Sequence, residues 1–180
     1  AAQAAQQVGV WAGGVVNLGS RKAQGARGGF DFNTSGVSGG ADLALSDKLV
    51  VGAGAGFGVD KSDIGDKGTR SEASSVSGFV YGSFAPRDQV FVDGVLGVSK
   101  LEFESRRYLT ANGGMVTGSR SGEQLFGSVA AGYAGEWNGW RLSPYGRLEY
   151  LMTELGGFTE RGDDTFALRF RKQSTDQLTG

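Results

Sequence analysis

Cysteine and histidine are both absent from this sequence of 180 residues. Without cysteine there is no disulfide framework and no thiolate ligand for a metal ion. Without histidine there is no Ser-His-Asp triad, no histidine-ligated zinc site and no histidine general base. These absences exclude several classes of enzyme, and we expect no catalytic residue, no metal and no cofactor in this chain.

An excess of one charge is also lacking. Lysine and arginine total 18, aspartate and glutamate total 19, and the isoelectric point is about 5.5. Nucleic-acid binding generally needs a basic surface, so we expect no nucleic-acid partner. No apolar run approaches the roughly 20 residues of a membrane-spanning helix. The N-terminal AAQAAQQ has neither the basic start nor the apolar core of an intact signal peptide, so the chain is expected to begin within a longer protein.

Glycine is abundant, with 33 residues against only 2 prolines, and it is concentrated in the stretch LVVGAGAGFGVD at residues 49–60. A dinucleotide-binding loop would need G-x-G-x-x-G at the start of a helix. The third glycine position holds Phe57 in one frame and Val59 in the other, and the following residues have no helical period. An oxidoreductase is therefore the least favoured of the functions considered.

Alternation explains this stretch better. Side chains of a strand point to opposite faces in turn, which places Val51, Ala53 and Phe57 on one face. The other face carries Gly52, Gly54, Gly56 and Gly58. Glycine weakens a strand unless another group approaches its bare face closely. We therefore predict a strand whose glycine side lies against a neighbouring element.

The same period of two recurs in seven further segments, at residues 8–18, 37–45, 74–84, 90–99, 125–137, 140–152 and 166–171. The facing of residues 74–84 stays open, because large apolar residues fall on both sides. Short connections at 46–48, 86–88 and 138–139 alternate with long polar segments at 19–29, 61–70, 108–122 and 159–164. This arrangement predicts an all-β, antiparallel, up-and-down sheet of about eight strands and is typical of a transmembrane β-barrel.

Alternation alone leaves two interpretations open. The apolar face meets lipid in a membrane barrel and forms the core in a soluble sandwich. Aromatic residues cluster near the Asn-Gly turn, as they do where a membrane barrel meets the membrane–water interface, and they favour the barrel. These residues are Trp137, Trp140 and Tyr150. In a barrel, the charged residues of the other face would line the lumen, where they either contact a translocated chain or simply hydrate the interior; these are Asp42, Asp93, Arg141, Arg147, Glu149, Arg169 and Arg171.

Two loop motifs allow weaker readings. Arg161, Gly162 and Asp163 match a three-residue adhesion motif, but so short a match arises readily by chance. Glu160, Asp163 and Asp164 could bind a cation, although a solvated loop is the favoured interpretation.

Longer runs of the sequence resemble the autotransporter β-domain of type V secretion. The resemblance follows, in order, VGVWAGG, GFDFNTSGVSGGADLALSDKLVVGAGAGFG, VYGSFAPRDQVFVDGVLGVSK, GWRLSPYGRLEYL and GFTERGDDTFALRFRKQSTDQL. The resemblance extends over nearly the whole chain. We therefore expect a single domain at residues 1–180. The combination of these segments carries the resemblance, since no one of them is specific alone.

The resemblance implies an outer-membrane barrel of twelve strands, about four of them missing here, that anchors and helps to export an N-terminal passenger. It implies that residues 1–7 end a helical linker passing through the lumen, close to the glycine-rich face. It also implies three partners: outer-membrane lipid, the passenger with its linker, and the barrel-assembly machinery. The alternative is a self-contained small outer-membrane barrel with a structural role or with loops that bind partners.

Overall fold

The computed structural model describes residues 7–22 and 29–180. Twelve strands follow one another in these ranges and are numbered here in chain order. They are β1 (Val8–Arg21), β2 (Phe30–Ser46), β3 (Leu49–Ile64), β4 (Thr69–Arg87), β5 (Val90–Tyr108), β6 (Met115–Tyr133), β7 (Gly135–Trp137), β8 (Trp140–Leu142), β9 (Tyr145–Leu155), β10 (Phe158–Thr159), β11 (Arg169–Phe170) and β12 (Gln173–Thr179).

Eight of these strands form one antiparallel sheet in the order β1-β2-β3-β4-β5-β6-β9-β12. Each strand pairs with the next one along the sheet, so the predicted all-β, up-and-down antiparallel architecture is confirmed. The sheet is open, with β1 and β12 at its two edges. A closed barrel is therefore not formed by these eight strands alone.

No helix within residues 7–22 and 29–180 is long and apolar enough to cross a membrane. The expected end of a linker helix falls on residues 1–7, of which residues 1–6 lie outside the described part of the chain.

The sheet has two chemically different faces, because residues directly opposite each other on paired strands lie on the same face. On β3 the exposed residues Val51, Ala53 and Phe57 alternate with half-buried glycines, as predicted. The "apolar face" is defined by one set of residues: Val10, Val37, Ala53, Val80, Leu96, Val129, Leu148 and Leu178. The "glycine face" is defined by the other: Trp11, Gly40, Gly54, Phe79, Gly97, Phe126, Leu151 and Gln177.

The facing of β4, which the sequence left open, is resolved by its neighbours. Phe79 and Tyr81 lie on the glycine face, opposite Gly54 and Gly52 of β3. Bare glycines leave room for large rings on the adjacent strand, so these aromatic side chains fit there. The remaining large residues of β4, among them Val80, lie on the apolar face.

The hairpin around the Asn-Gly turn is divided, which corrects the prediction of one continuous pair of strands. The main sheet stops at the pair Gly132 and Tyr145, and the short β7–β8 hairpin continues in the same register up to Trp137 and Trp140. Pro144 has no amide hydrogen and interrupts the ladder between them. Asn138 and Gly139 have positive φ angles of 50° and 77°, as the tight turn predicted there requires.

The eighth strand of the sheet also differs from the prediction, which placed it at residues 166–171. The strand that pairs with β9 is β12. Arg169 instead lies in the two-residue strand β11, which pairs with β10, and Arg171 lies outside the strands. Phe170 stacks on Phe158 with ring centroids 4.6 Å apart, which supports the pairing of β11 with β10.

Two of the predicted long loops are largely strand. β3 runs to Ile64, β4 begins at Thr69 and β6 begins at Met115, so within 61–70 and 108–122 the loops are confined to 65–68 and 109–114. These strand ends are polar on both faces and show no alternation in the sequence. Cross-strand ion pairs contribute there, as between Lys61 and Glu72 at 3.0 Å.

Candidate functional site

The candidate site is the glycine face of β1 to β4, where three aromatic side chains meet. The indole of Trp11 lies 6.1 Å from the ring of Phe79 and 6.1 Å from that of Tyr81, measured between centroids. The ring of Tyr81 crosses the strand next to its own, since Gly52 opposite it has no side chain. The glycines of β3 thus make room for contacts that link strands which are not adjacent.

A chain of hydrogen bonds connects the same residues. Trp11 Nε1 donates to the hydroxyl of Tyr81 at 2.6 Å, and that hydroxyl donates to Asp42 Oδ2 at 3.1 Å. The three residues come from β1, β4 and β2, so the network spans four strands of the sheet. It satisfies the polar atoms of the two aromatic side chains within a partly buried surface.

Steric limits explain why Gly54 bears no side chain. A Cβ on Gly54 would lie 2.6 Å from Cζ of Phe79 and 2.8 Å from the carbonyl oxygen of Gly39. Gly56 and Gly58 face smaller groups, because their Cβ atoms would meet the serine hydroxyls of β4 at 3.3 and 2.9 Å. The close neighbour that the sequence predicted for these glycines is, within the described residues, the set of side chains on β4.

The charged candidates of the glycine face lie in three places. Asp42 belongs to the aromatic network, and Asp93 lies on the same face near the start of β5. Arg147 and Glu149 are neighbours on β9, with Nε and Oε1 2.8 Å apart and both side chains about half exposed. A pair so exposed contributes little to stability, which fits a hydrating role as well as a contact role.

The other charged candidates lie away from this surface. Arg141 belongs to the β7–β8 hairpin and is paired there with Glu136, with Nη2 and Oε1 3.6 Å apart. Arg169 and Arg171 lie near the β10–β11 hairpin, for the reason given with the fold. The structure therefore brings together only part of the set that the sequence predicted.

The aromatic residues expected at the membrane interface also lie in different parts of the structure. Trp140 is exposed on the β7–β8 hairpin, beyond the end of the main sheet. Tyr150 lies on the apolar face of β9, directly opposite Gly127 and Leu178. The side chain of Trp137 lies outside the described part of the structure.

Sequence reasoning missed the roles of Phe79 and Tyr81. The available signal was the pattern of β3, since alternate glycines leave room for large side chains on an adjacent strand. Of the two neighbours of β3, only β4 has aromatic residues at matching positions. The second omission is the ion pair between Arg107 and Glu160, whose partners lie far apart in the sequence. Glu160 is 6% exposed, so the expectation of a solvated acidic loop was wrong for this residue.

The autotransporter β-domain family matches residues 10–180, nearly the whole chain. The chain belongs to the autotransporter β-domain family. It is therefore a translocator-type domain of type V secretion that resides in the bacterial outer membrane. The family consists of transport barrels, and the resemblance found in the sequence is confirmed.

The relatives are much longer than this chain. Outer membrane protein B of Rickettsia prowazekii (strain Madrid E) is 26% identical over 184 residues, which covers 94% of this chain and 11% of the relative. The protein YaiT of Escherichia coli (strain K12) is 28% identical over 139 residues, which covers 75% of this chain and 13% of the relative. The chain thus spans little more than a tenth of the length of these curated relatives.

Among solved structures, the translocator domain of the autotransporter NalP from Neisseria meningitidis is similar in fold. The TM-score is 0.73 at 17% identity, and the match covers 96% of this chain and 57% of that one. Because the identity is low, this similarity supports the fold of the sheet and not its partners.

The packing at Gly54 can be tested by substitution. We expect Gly54→Ala to lower the free energy of unfolding by about 1–3 kcal/mol, because the new methyl group overpacks the contact with Phe79. The measurement is urea unfolding of the full-length protein in detergent. Gly78→Ala is the matched control, since a Cβ there has no atom within 4 Å. Equal stability of the two variants would contradict the packing argument.

Proposed function

We propose that this sheet is part of a closed transmembrane barrel, with its glycine face inside and its apolar face against lipid. In this arrangement the domain anchors an N-terminal passenger and helps to export it, by scaffold and pore rather than by bond chemistry. The observation that carries the proposal is the exposure of the apolar face. Val10 is 83% exposed and Val80 is 57% exposed, although both belong to regular strands.

A soluble protein would cover such a face. In a β-sandwich the apolar side chains of one sheet interdigitate with those of a second sheet about 10 Å away. Within residues 7–22 and 29–180 the main sheet is a single layer, and the two other sheets are hairpins of two strands. Lipid is the environment in which this face loses its contact with water.

The height of the apolar face agrees with a membrane. On β6 it extends from Tyr133 to Leu125, and the next residue on that face is Glu123, which is directly opposite Glu154. Nine tilted strand residues correspond to roughly 20–23 Å along the membrane normal, close to the ~25 Å apolar band of outer-membrane barrels. The charged ends of the strands would then project from the membrane on the side of the longer loops.

Barrel closure needs partners for both edges of the sheet, which is open in the described residues. The edges of β1 and β12 carry backbone groups that need partners, because unpaired amides are not tolerated in hydrocarbon. We propose that four further strands complete a barrel of twelve. Since β1 and β12 lie at opposite edges, a self-contained barrel of eight strands is the less favoured alternative.

Inside this barrel, the charged residues of the glycine face would line the path of the exported chain. Asp42, Asp93, Arg147 and Glu149 lie on that face, and a linker helix preceding β1 would run beside the glycines of β2 and β3. We also propose that the barrel-assembly machinery assembles this barrel in the outer membrane. Arg141, Arg169 and Arg171 would lie at the two ends of the path.

The contact of the apolar face with lipid is tested by placing a lysine on each face of β6 at the same depth in the membrane. Val129 lies near the middle of the apolar band of β6, and its neighbour Ser128 lies on the glycine face beside Glu149. We expect Val129→Lys to destabilise the protein in bilayers by about 2–4 kcal/mol, the cost of lysine at the membrane midplane. Ser128→Lys is the matched control and should be tolerated. Unfolding in lipid vesicles measures both, and equal costs would oppose a lipid-facing apolar face.

The export function is tested in cells with the full-length protein. We expect protease added to intact cells to digest the N-terminal region, and we expect this digestion to disappear when residues 8–180 are deleted. A heat-modifiable band on gels reports barrel formation independently. An N-terminal region that stays protected, although the barrel band is present, would argue against export through this domain.

A further inference from the structure

Residues 156–172, here called the lid, connect β9 to β12 and form a compact unit. β10 and β11 pair within it, and the rings of Phe158 and Phe170 stack with an interplanar angle of 8°. Glu160 N donates to the carbonyl oxygen of Leu168 at 2.9 Å. The lid is therefore a folded element with contacts of its own.

The lid lies beside the free edge of β6 and extends over the glycine face of β5 and β6. Arg161 and Thr117 exchange two backbone hydrogen bonds of 2.8 and 2.9 Å, which join the lid to β6. Phe158 contacts Gly118, and the guanidinium of Arg120 lies between it and Phe103, 5.8 and 5.3 Å from the two ring centroids. Because Gly118 is directly opposite Ser105 and lies on the glycine face, the lid folds toward the proposed interior.

One ion pair holds the centre of the lid to the sheet. Arg107 of β5 donates from Nε and Nη2 to the carboxylate of Glu160 at 3.1 and 2.5 Å. Glu160 also accepts a hydrogen bond from Leu168 N, and Arg107 donates to the carbonyl oxygen of Phe166. The hydrogen bonds from Arg107 keep the pKa of Glu160 below its ordinary value. The side chain of Glu160 is buried and that of Arg107 is about a third exposed, so loss of the Glu160 carboxylate removes two charge-assisted hydrogen bonds and leaves a partly solvated guanidinium.

The tip of the lid is fixed by Asp163. Its Oδ1 accepts hydrogen bonds from the amides of Thr165 and Phe166, both at 2.9 Å, and its Oδ2 accepts one from Asn112 at 2.7 Å. These bonds lower the pKa of Asp163. The carboxylate of the Arg-Gly-Asp sequence is thus engaged within the protein, which argues against its presentation to an adhesion receptor.

The lid creates the one region of the described chain that resembles the core of a soluble protein. Leu109, Val116 and Glu160 are three of the six buried residues in 7–22 and 29–180, with exposures of 4%, 0% and 6%. Val116 is directly opposite Arg107, the partner of Glu160, and the lid passes close to the backbone of Met115 and Val116 at Gly162. Most residues of the sheet away from the lid are exposed or partly exposed.

We propose that residues 156–172 close the interior of the barrel at its long-loop end, beside β5 and β6, and that the ion pair between Arg107 and Glu160 is the latch. The inference rests on the proposed function, because only a closed barrel has an interior to close. When the latch is removed, the lid opens locally while the barrel remains assembled.

The test uses a cysteine reporter under the lid. Val116→Cys places a thiol of similar volume at a fully buried position, and these 180 residues contain no other cysteine. Cells that display the full-length protein are treated with a membrane-impermeant maleimide, and the rate of labelling is compared with and without Glu160→Gln. We expect labelling roughly tenfold faster in the double variant, because loss of the charge-assisted hydrogen bonds from Arg107 favours the open lid.

Glu72→Gln is the matched control, since it removes a carboxylate from an exposed ion pair on β4 outside the lid. The heat-modifiable band must be present for the comparison to count. The proposed role of the ion pair is contradicted if Glu160→Gln leaves the labelling rate of Val116→Cys unchanged, or if Glu72→Gln raises that rate as much as Glu160→Gln does. Absence of that band in the parent protein would instead contradict the proposed barrel itself. The two failures are therefore distinguishable.

A second measurement does not depend on the reporter at Val116. Thr117 and Arg161 form a directly opposed, hydrogen-bonded pair, whose Cα separation of about 5.5 Å permits a disulfide. We expect Thr117→Cys with Arg161→Cys to oxidise nearly completely, and the addition of Glu160→Gln to reduce the oxidised fraction several-fold at a fixed short time. An unchanged fraction would contradict opening of the lid.

Discussion

The backbone hydrogen-bond ladder is the interaction on which the rest of this structure depends. Eight strands form one layer, and only Leu109 and Val116 are buried hydrophobic residues among those described. Burial of apolar side chains against one another therefore cannot be the main source of order. A sheet of this kind is stable where both faces have suitable surroundings, lipid on one side and a hydrated interior on the other. The family and its outer-membrane location agree with this requirement.

The glycine face shows how one layer can still pack specifically. The bare positions of β3 receive the rings of Phe79 and Tyr81, and Trp11 reaches Tyr81 across the intervening strands. Register is fixed by such contacts, because a shift of one residue would move every side chain to the other face. At the opposite end of the sheet, Arg107 and Glu160 play a comparable role by joining a loop to the strands.

The sequence predicted the parts of the fold that depend on alternation. The faces of β3, β5 and β6 follow from a period of two, as does the antiparallel order. It failed where alternation is absent: β12 has one large apolar residue, Leu178, and the long strand ends are polar on both faces. Contacts between distant residues, such as that of Arg107 with Glu160, leave no local pattern and could not be predicted.

The most direct test of the central claim is residue-by-residue accessibility along β6 in a lipid bilayer. Spin labels at each position from 125 to 133 would be compared for collision with oxygen, which dissolves in lipid, and with a water-soluble nickel complex. We predict a period of two, with oxygen favoured at positions 125, 127, 129, 131 and 133 and the nickel complex at the positions between them. Equal access of the nickel complex to both sets would contradict a lipid-facing apolar face.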